Sequence, residues 1–207
     1  MVEFQAPTTQ TVKTARLELR IFKESFLDDF HTIWINPTTT IWTLSGLSTS
    51  LEDSRTRMAR LLPNPETPDT LNYGVFIRPS ALPSSDSEAA AAPLHGRMVG
   101  MLGVPGVSSP GTAEIGYVYD ESVWGRGYAT EALAAYMSVY WDHAKSINAV
   151  VAMVDPENTP SIKVLEKCGF VAVEYLVKNI VLPALGTRDT LILRIERPRA
   201  TRTPGLA

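Results

Sequence analysis

The chain has 207 residues, a length that fits one compact domain, and 44% of them are hydrophobic, which is typical of a globular protein with a core. Nineteen Lys and Arg stand against 22 Asp and Glu, and the net charge of −3 argues against a nucleic-acid-binding surface as the main function. No apolar run approaches the roughly 18 residues of a membrane-spanning helix, and a single cysteine excludes an intramolecular disulfide. We therefore expect a cytoplasmic protein without a membrane or nucleic-acid partner.

Hydrophobic periodicity predicts an α+β domain with the element order βααβββαβαββ. Leu17, Leu19 and Ile21 alternate with polar residues, as a half-buried strand requires. The run 149–154 is almost entirely apolar, which indicates a strand covered on both faces. The predicted elements are, in chain order, strand 16–21, helices 23–35 and 51–62, strands 72–77, 97–104 and 112–119, helix 130–144, strand 149–154, helix 160–167, and strands 170–177 and 189–195.

One domain is predicted over residues 14–196, between a flexible N-terminus (1–13) and a flexible tail (197–207). Residues 79–96 contain a serine cluster and an alanine run flanked by prolines, so they have few groups to bury. We expect a low-complexity loop there, inserted between two antiparallel strands. Residues 105–111 are expected to form a second, turn-rich loop.

The most informative segment is a glycine-rich loop between the strand 112–119 and the helix that follows it. It reads Trp124-Gly125-Arg126-Gly127-Tyr128-Ala129-Thr130. Small residues let the backbone of the loop approach a ligand closely. The helix start adds free N–H groups and the positive end of the helix dipole, which both favour an anion. The loop is therefore predicted to bind a diphosphate.

Two other interpretations of this loop stay open. Gly125 and Gly127 would fit a dinucleotide-binding fingerprint, with Asp155 as the ribose-binding acid. Against this, residues 120–123 separate the strand from the first glycine, Thr130 replaces the third glycine, and the acid lies beyond the roughly 20 residues expected. A purely structural turn would explain the glycines, but not the small and polar residues that follow them at the helix start.

Three segments between residues 14 and 170 carry a family resemblance. They read Thr14-Ala15-Arg16-Leu17-Glu18-Leu19-Arg20, then Glu114-Ile115-Gly116-Tyr117 with Trp124 to Ala132, and then Asn158-Thr159-Pro160-Ser161 with Leu165 to Phe170. In this order they resemble the GNAT superfamily of acyl-CoA-dependent N-acetyltransferases. They are most similar to its RimJ/RimL-type branch, whose members acetylate protein N-termini and small amines. Trp124 departs from the general motif, which has Gln or Arg there, and the branch shares this departure.

The resemblance implies a mixed sheet that is splayed open between the strand ending near Tyr119 and the strand 149–154, with helices on its flanks. The pantetheine arm of acetyl-CoA would lie in that cleft, and the pyrophosphate would bind backbone N–H groups of the glycine loop. Arg126 would either contact a phosphate or lie in solvent. The acetyl-CoA-binding residues implied in this way are Tyr117, Val118, Tyr119, Gly125, Arg126, Gly127, Tyr128, Ala129, Thr130 and Asn158.

Amide formation from an amine and a thioester needs a base for the ammonium and a proton for the leaving thiolate. Both substrates can be held together, so direct attack in a ternary complex needs no covalent enzyme. By resemblance, Glu114 is the candidate general base, the alternative being an ordinary solvent-facing glutamate, and Ser161 lies near the sulfur. Leu165 stands where many members have a tyrosine acid. Ser161, Tyr117, Tyr119 or water would then have to protonate the thiolate.

The sequence thus predicts an acetyl-CoA-dependent N-acetyltransferase that acts on a primary amine, either a protein N-terminus or a small-molecule amine. The alternative is a catalytically inactive CoA-binding module that serves as a sensor or an assembly part. Cys168 lies at a helix exit and is expected to be a packed core thiol rather than an acylated nucleophile. Thr159 is expected to cap the helix that follows it.

No recognised signature identifies the acceptor amine. In folds of this kind, specificity is set by the first two helices, by the loop 36–49 and by the connection 182–188. Trp34 and Trp42 would line the acceptor pocket or simply pack in the core. The three histidines lack metal-ligand spacing, so no metal is expected. A monomer and a homodimer are both compatible with the sequence.

Overall fold

The computed structural model describes residues 11–79, 94 and 96–198, and an eight-stranded sheet forms its centre. The strands are β1 (Val12–Lys13), β2 (Leu17–Ile21), β3 (Leu71–Ile77), β4 (Met98–Ser109), β5 (Thr112–Tyr119), β6 (Ala149–Val154), β7 (Val171–Leu182) and β8 (Gly186–Glu196). Their order across the sheet is β1-β2-β3-β4-β5-β6-β8-β7. Neighbouring strands are antiparallel except β5 and β6, which are parallel. A parallel pair requires a crossover connection, and a helix between these two strands supplies it.

Five α-helices accompany the sheet in the described part of the chain. They are α1 (Leu27–Trp34), α2 (Pro37–Thr40), α3 (Leu51–Ala59), α4 (Tyr128–His143) and α5 (Thr159–Lys167). The α+β fold class is thereby confirmed, and β1 and α2 are elements beyond the predicted order. α2 forms because Asn36 accepts hydrogen bonds from the N–H groups of Thr38 (2.9 Å) and Thr39 (3.3 Å), while Pro37 fits the first helical position.

The two faces of the sheet carry separate hydrophobic cores. On one face, α4 and α5 contribute Leu133, Tyr136 and other buried residues to the larger core. On the opposite face, α1 and α3 pack over β3 and β4 through Phe30, Ile33 and Met58. Because helices cover both faces, the central strands are held from two sides. None of the helices described combines the length and the apolar character that a membrane crossing requires.

β4 extends beyond its predicted end. It continues to Ser109 through residues that were expected to form a turn-rich loop. A bulge between Gly103 and Gly106 accommodates Pro105, whose missing N–H would interrupt a regular ladder. The prediction of a loop over these residues was wrong because proline is tolerated where a strand bulges.

β7 and β8 are also longer than predicted and form one antiparallel hairpin. Their pairing reaches from Val171 with Arg194 to Leu182 with Gly186. The segment 182–188, expected to be a connecting loop, is therefore a tight turn together with the strand residues on either side of it.

Both ends of the described chain are docked on the domain. Val12 pairs with Leu19, so β1 lies within the segment 1–13 that was expected to be flexible. Arg197, the first residue of the expected tail, donates hydrogen bonds to main-chain carbonyls at and just beyond the C-terminal end of α4, where the helix dipole favours a cation. The carbonyls that accept these hydrogen bonds are those of Trp141 (2.6 Å), Ile147 (2.7 Å) and Ala144. The rest of both expected terminal segments, and most of the expected loop 79–96, lie outside the described residues.

Candidate functional site

A cleft opens in the sheet between β5 and β6. The two strands pair only from Thr112 with Ala149 to Glu114 with Val151, within the described residues. Beyond that point β5 stays paired with β4, and β6 stays paired with β8. The expected splay is therefore confirmed, and Glu114 lies at its apex.

The register of β5 determines which backbone groups face this cleft. The Asp120 N–H donates to the Val99 carbonyl across β4 (2.9 Å), so residues of β5 with even numbers direct their backbone groups to that strand. Val118 therefore bonds to β4. Tyr117 and Tyr119, which alternate with it, direct their backbone groups into the cleft. Of the three residues expected to bond the pantetheine arm, two have the required orientation and Val118 does not.

The Trp124 side chain is hydrogen-bonded to one of these cleft-facing backbone groups. Its indole Nε1 donates to the Tyr119 carbonyl (2.8 Å), while its ring stays half-exposed. The Tyr119 N–H and both backbone groups of Tyr117 thus remain for a ligand. Sequence analysis noted Trp124 only as a position of the loop motif and assigned no role to its side chain, although its place just before the first glycine was a signal of local importance.

The glycine loop follows β5 after a short 3-10 turn at Glu121–Val123, and it leads into α4. Gly125 and Gly127 have φ values of 71° and 76°, in the left-handed region that favours glycine. α4 begins at Tyr128, two residues earlier than expected, and no side chain caps it. By contrast, Ser50 caps α3 and Asn158 caps α5. The free N–H groups of the first turn of α4 are therefore left to a ligand, and the helix dipole favours an anion there.

A network of Arg16, Thr14 and Glu131 holds the loop against the start of β2. The Glu131 carboxylate accepts hydrogen bonds from the Arg16 N–H (2.8 Å), Arg16 Nε (2.6 Å) and Thr14 Oγ1 (2.5 Å). Arg16 Nη1 also donates to the Arg126 carbonyl (2.9 Å). Arg126 takes part through its backbone, and its side chain is exposed. Sequence reasoning noted Thr14, Arg16 and Glu131 only as parts of motifs.

Glu114 occupies a half-buried position at the apex of the cleft. It pairs with Val151 of β6 on one side and with Gly106 of β4 on the other, and the glycine leaves space beside its side chain. Burial raises the pKa of the Glu114 carboxyl above its usual value of 4.5. A carboxylate with a raised pKa is a stronger base, as proton abstraction from an amine requires.

Tyr117 and Ser161 meet across the cleft. The Tyr117 hydroxyl lies 2.7 Å from Ser161 Oγ and 3.1 Å from the Ser161 carbonyl, so it links β5 to the first turn of α5. Burial raises the pKa of Tyr117 to about 12, although the hydrogen bond with Ser161 opposes this. Tyr117 is therefore protonated at neutral pH and acts as a hydrogen-bond donor.

Three neighbouring residues differ from expectation or add detail. Asn158, not Thr159, caps α5, because its side-chain oxygen accepts from the Ser161 N–H (3.3 Å). Leu165 is fully buried in the core, away from solvent. The Tyr119 hydroxyl is buried and has no hydrogen-bond partner among the described residues, so it is a poor candidate for proton exchange.

Asp155, the acid that a dinucleotide-binding site would need for the ribose, is engaged in other contacts. Asp155 is buried, and its carboxylate accepts from Arg188 Nε (2.7 Å), from Arg188 Nη2 (3.2 Å) and from the Glu157 N–H (2.8 Å). Burial acts to raise the pKa of Asp155, but these hydrogen bonds lower it overall. A carboxylate engaged in this way fastens β8 to the end of β6 and is not free for a ribose.

On the acceptor side, the loop 36–49 reaches the turn between β7 and β8. A Cβ placed on Gly46 would lie 3.1 Å from Pro183 Cβ, so the two segments touch. Trp34 packs in the core with α1, whereas Trp42 is half-buried. The two segments expected to set specificity therefore form one continuous border.

Two further expectations concern covalent catalysis by Cys168 and the binding of a metal ion. Cys168 is half-buried, its sulfur lies 3.5 Å from the Thr130 carbonyl, and burial raises its pKa above 9.0. A thiol of that kind is a weak nucleophile at neutral pH. Among residues 11–79, 94 and 96–198, His, Cys, Asp and Glu side chains form no group of three placed to hold a metal ion.

Comparison with known proteins gives one family. Residues 16–171 match the family model described as an acetyltransferase (GNAT) domain. An uncharacterized N-acetyltransferase, p20 of Bacillus licheniformis, is 43% identical over 60 residues, which are 29% of this chain and 33% of that relative. This chain therefore matches about a third of the relative's length.

Solved structures show the same fold. A RimL ribosomal L7/L12 alpha-N-protein acetyltransferase in complex with coenzyme A superposes with a TM-score of 0.71, at 20% identity, over 90% of this chain and 98% of that one. A spermidine N-acetyltransferase from Vibrio cholerae, in complex with CoA and spermine, superposes with a TM-score of 0.70, at 14% identity, over 88% of this chain and 96% of that one. At these identities the likeness concerns the fold alone.

Proposed function

The chain belongs to the GNAT acetyltransferase family, and we propose that it transfers an acetyl group from acetyl-CoA to a primary amine by direct attack in a ternary complex. The observation that carries this proposal is the cleft between β5 and β6, which ends at a glycine loop and an uncapped helix start. The cleft suits the pantetheine arm, and the loop suits the diphosphate. No metal and no covalent intermediate is needed.

The pantetheine arm would bond to the backbone of Tyr117 and to the Tyr119 N–H, which face the cleft. The diphosphate would bind the N–H groups of the glycine loop and of the first turn of α4. Asn158 keeps its amide N–H₂ for the arm, since it uses only its oxygen as a cap. Of the two cleft-facing N–H groups, one would bond the amides of the arm and the other would polarise the thioester carbonyl.

Glu114 would accept the proton of the acceptor ammonium, directly or through water. An α-amino group has a pKa of about 8, whereas a lysine side chain has one of about 10.4, so the α-amino group loses its proton more readily to a carboxylate. This difference favours peptide N-termini over lysine side chains as acceptors. The names of two structural neighbours match the two proposed kinds of acceptor, a protein N-terminus and a small-molecule amine. The RimL protein is named for a ribosomal protein N-terminus and the Vibrio cholerae enzyme for spermidine.

Tyr117 and Ser161 would stabilise the leaving thiolate. A thiol has a pKa of about 8.5, so a tyrosine with a pKa of about 12 holds its proton and donates a hydrogen bond. When Tyr117 donates to the Ser161 carbonyl, the Ser161 hydroxyl is free to donate to the sulfur. Water would then supply the final proton.

Ser161→Ala is expected to lower kcat about tenfold with little change in the KM for acetyl-CoA, because one hydrogen bond to a charged thiolate is lost in the transition state. Initial rates of CoA release give both constants. Ser138→Ala is the matched control, since Ser138 lies on the exposed side of α4 and donates within its own helix (2.8 Å). An unchanged kcat in Ser161→Ala would mean that water or Tyr117, and not Ser161, stabilises the leaving thiolate.

The proposed activity is tested by measuring CoA release with a panel of amines. The panel contains short peptides with free α-amino groups, the same peptides with blocked N-termini, and spermidine. We expect turnover with at least one free amine and none with the blocked peptides. Tight acetyl-CoA binding without turnover on any amine would favour the alternative, a catalytically inactive CoA-binding module.

We further propose that the protein belongs to the RimJ/RimL-like branch and works in the cytoplasm, as a monomer or a homodimer, without nucleic-acid or membrane partners. The support is the single cysteine, the net charge of −3 and the opening motif that starts at Thr14. None of the site residues named above depends on this assignment.

A further inference from the structure

We propose that Arg16 is a positioning residue for the diphosphate of acetyl-CoA, because it holds the glycine loop in its binding conformation. The inference rests on the proposed acetyl-CoA binding and adds a residue that lies 110 positions before Arg126 in the chain. Arg16 sits just before β2, which is three strands away from β5 in the sheet. It reaches the loop only through the fold.

The guanidinium of Arg16 touches the loop and the first turn of α4 at three points. Nε donates to the Glu131 carboxylate (2.6 Å), and Nη1 donates to the Arg126 carbonyl (2.9 Å). Its central carbon lies 4.8 Å from the centre of the Tyr128 ring, a distance at which a cation is attracted to the ring face. These contacts fix a planar group in one orientation against residues on both sides of Gly127.

The hydrogen bond to the Arg126 carbonyl sets the direction of the next N–H. In a trans peptide the carbonyl and the following N–H point in opposite directions, and the described chain has no cis peptide. Because the Arg126 carbonyl points at Arg16, the Gly127 N–H points away from it. An exposed glycine loop otherwise samples many conformations, so this contact preorganises an N–H donor and thereby strengthens anion binding.

Arg16 also balances a negative charge next to the anion site. Burial acts to raise the pKa of Glu131, but hydrogen bonds from Thr14 and Arg16 lower it overall, so Glu131 is ionised at neutral pH. An unpaired carboxylate in the first turn of α4 would repel the diphosphate. The ion pair with Arg16 offsets that repulsion.

Calorimetric titration of acetyl-CoA into wild type and Arg16→Gln tests the proposal. We expect the Kd to rise about tenfold, because the loop N–H is no longer preorganised and the Glu131 carboxylate loses its cationic partner, while kcat at saturating acetyl-CoA stays unchanged. Arg20→Gln is the matched control. Arg20 lies in β2 and pairs with Glu18 at 2.9 Å on the same strand. The Arg20→Gln variant should therefore bind acetyl-CoA with the Kd of wild type.

S-acetylpantetheine, which lacks the diphosphate, separates positioning from general support of the fold. Arg16→Gln should use it with the same kcat/KM as wild type. The proposal is overturned if the variant binds acetyl-CoA as tightly as wild type, or if its kcat/KM falls by the same factor with acetyl-CoA and with S-acetylpantetheine. Arg16→Lys keeps the charge but not both hydrogen bonds, and its expected intermediate Kd gives the answer should Arg16→Gln not fold. A wild type that fails to bind acetyl-CoA would reject the proposed function itself and this inference with it.

Discussion

Replacement of Glu114 by glutamine is expected to lower kcat/KM about 100-fold or more, because it removes the proposed general base and leaves the other contacts of the site in place. Glutamine has nearly the same shape, so the pairing of Glu114 with Val151 and Gly106 is retained. Measurement of kcat/KM between pH 5 and 9 reveals the mechanism. Wild type should gain activity as the pH rises through the raised pKa of Glu114, and the variant should lose that limb of the profile.

The same pKa shift predicts the effect on stability, which separates lost chemistry from unfolding. A carboxyl whose pKa is raised in the folded state binds its proton more tightly there, so the folded state loses stability as the pH rises above 4.5 through the raised value. At neutral pH the charged form of Glu114 is a cost, and Glu114→Gln should keep or raise the Tm. Glu166→Gln, on the exposed side of α5, is the control that should change neither quantity. Full activity of Glu114→Gln across the pH range would remove Glu114 from the mechanism.

Gly125→Ala is expected to raise the KM for acetyl-CoA about tenfold, with a smaller effect on kcat. A side chain in the left-handed region costs roughly 1–2 kcal/mol, and relief of that strain would turn the loop N–H groups away from the diphosphate. A Cβ at Gly125 meets no described atom within 4 Å, so the protein itself has room for it. An increase in KM therefore reports on loop conformation and on the ligand, and not on a clash within the fold.

Gly111→Ala provides the matched control for this experiment. Gly111 has a φ of 75°, close to the 71° of Gly125, but it lies at the other end of β5. Its Cβ would lie 3.2 Å from the side-chain nitrogen of Asn148 and 3.9 Å from the Ser146 carbonyl oxygen. We expect a similar loss of stability and an unchanged KM for acetyl-CoA. Equal effects of the two substitutions on KM would show that the loop conformation has no special relation to the ligand.

Local signals in the sequence were sufficient to predict the glycine loop and most of the elements. The alternation around Leu17 and the apolar run 149–154 correspond to β2 and β6. The position of Gly125 and Gly127 between a strand and a helix predicted an anion site, and both glycines have the positive φ that such a loop needs. The cleft itself was implied by the family resemblance alone, because splaying of two strands depends on residues distant in the chain.

Contacts between distant residues explain what the sequence did not predict. Arg16 and Glu131 are 115 positions apart, and Tyr117 and Ser161 are 44 positions apart, so no periodicity connects them. The helix cap was misassigned for a different reason. Asn158 and the next residue are both good caps, and local sequence does not decide which one leaves the helix.

The most direct test of this account is a calorimetric titration of the purified wild-type protein with acetyl-CoA, with NAD as the comparison. The cleft between β5 and β6 and the uncapped start of α4 predict micromolar binding of acetyl-CoA and no binding of NAD. An absence of acetyl-CoA binding would contradict the account, and it would reduce the segment from Gly125 to Thr130 to a structural turn.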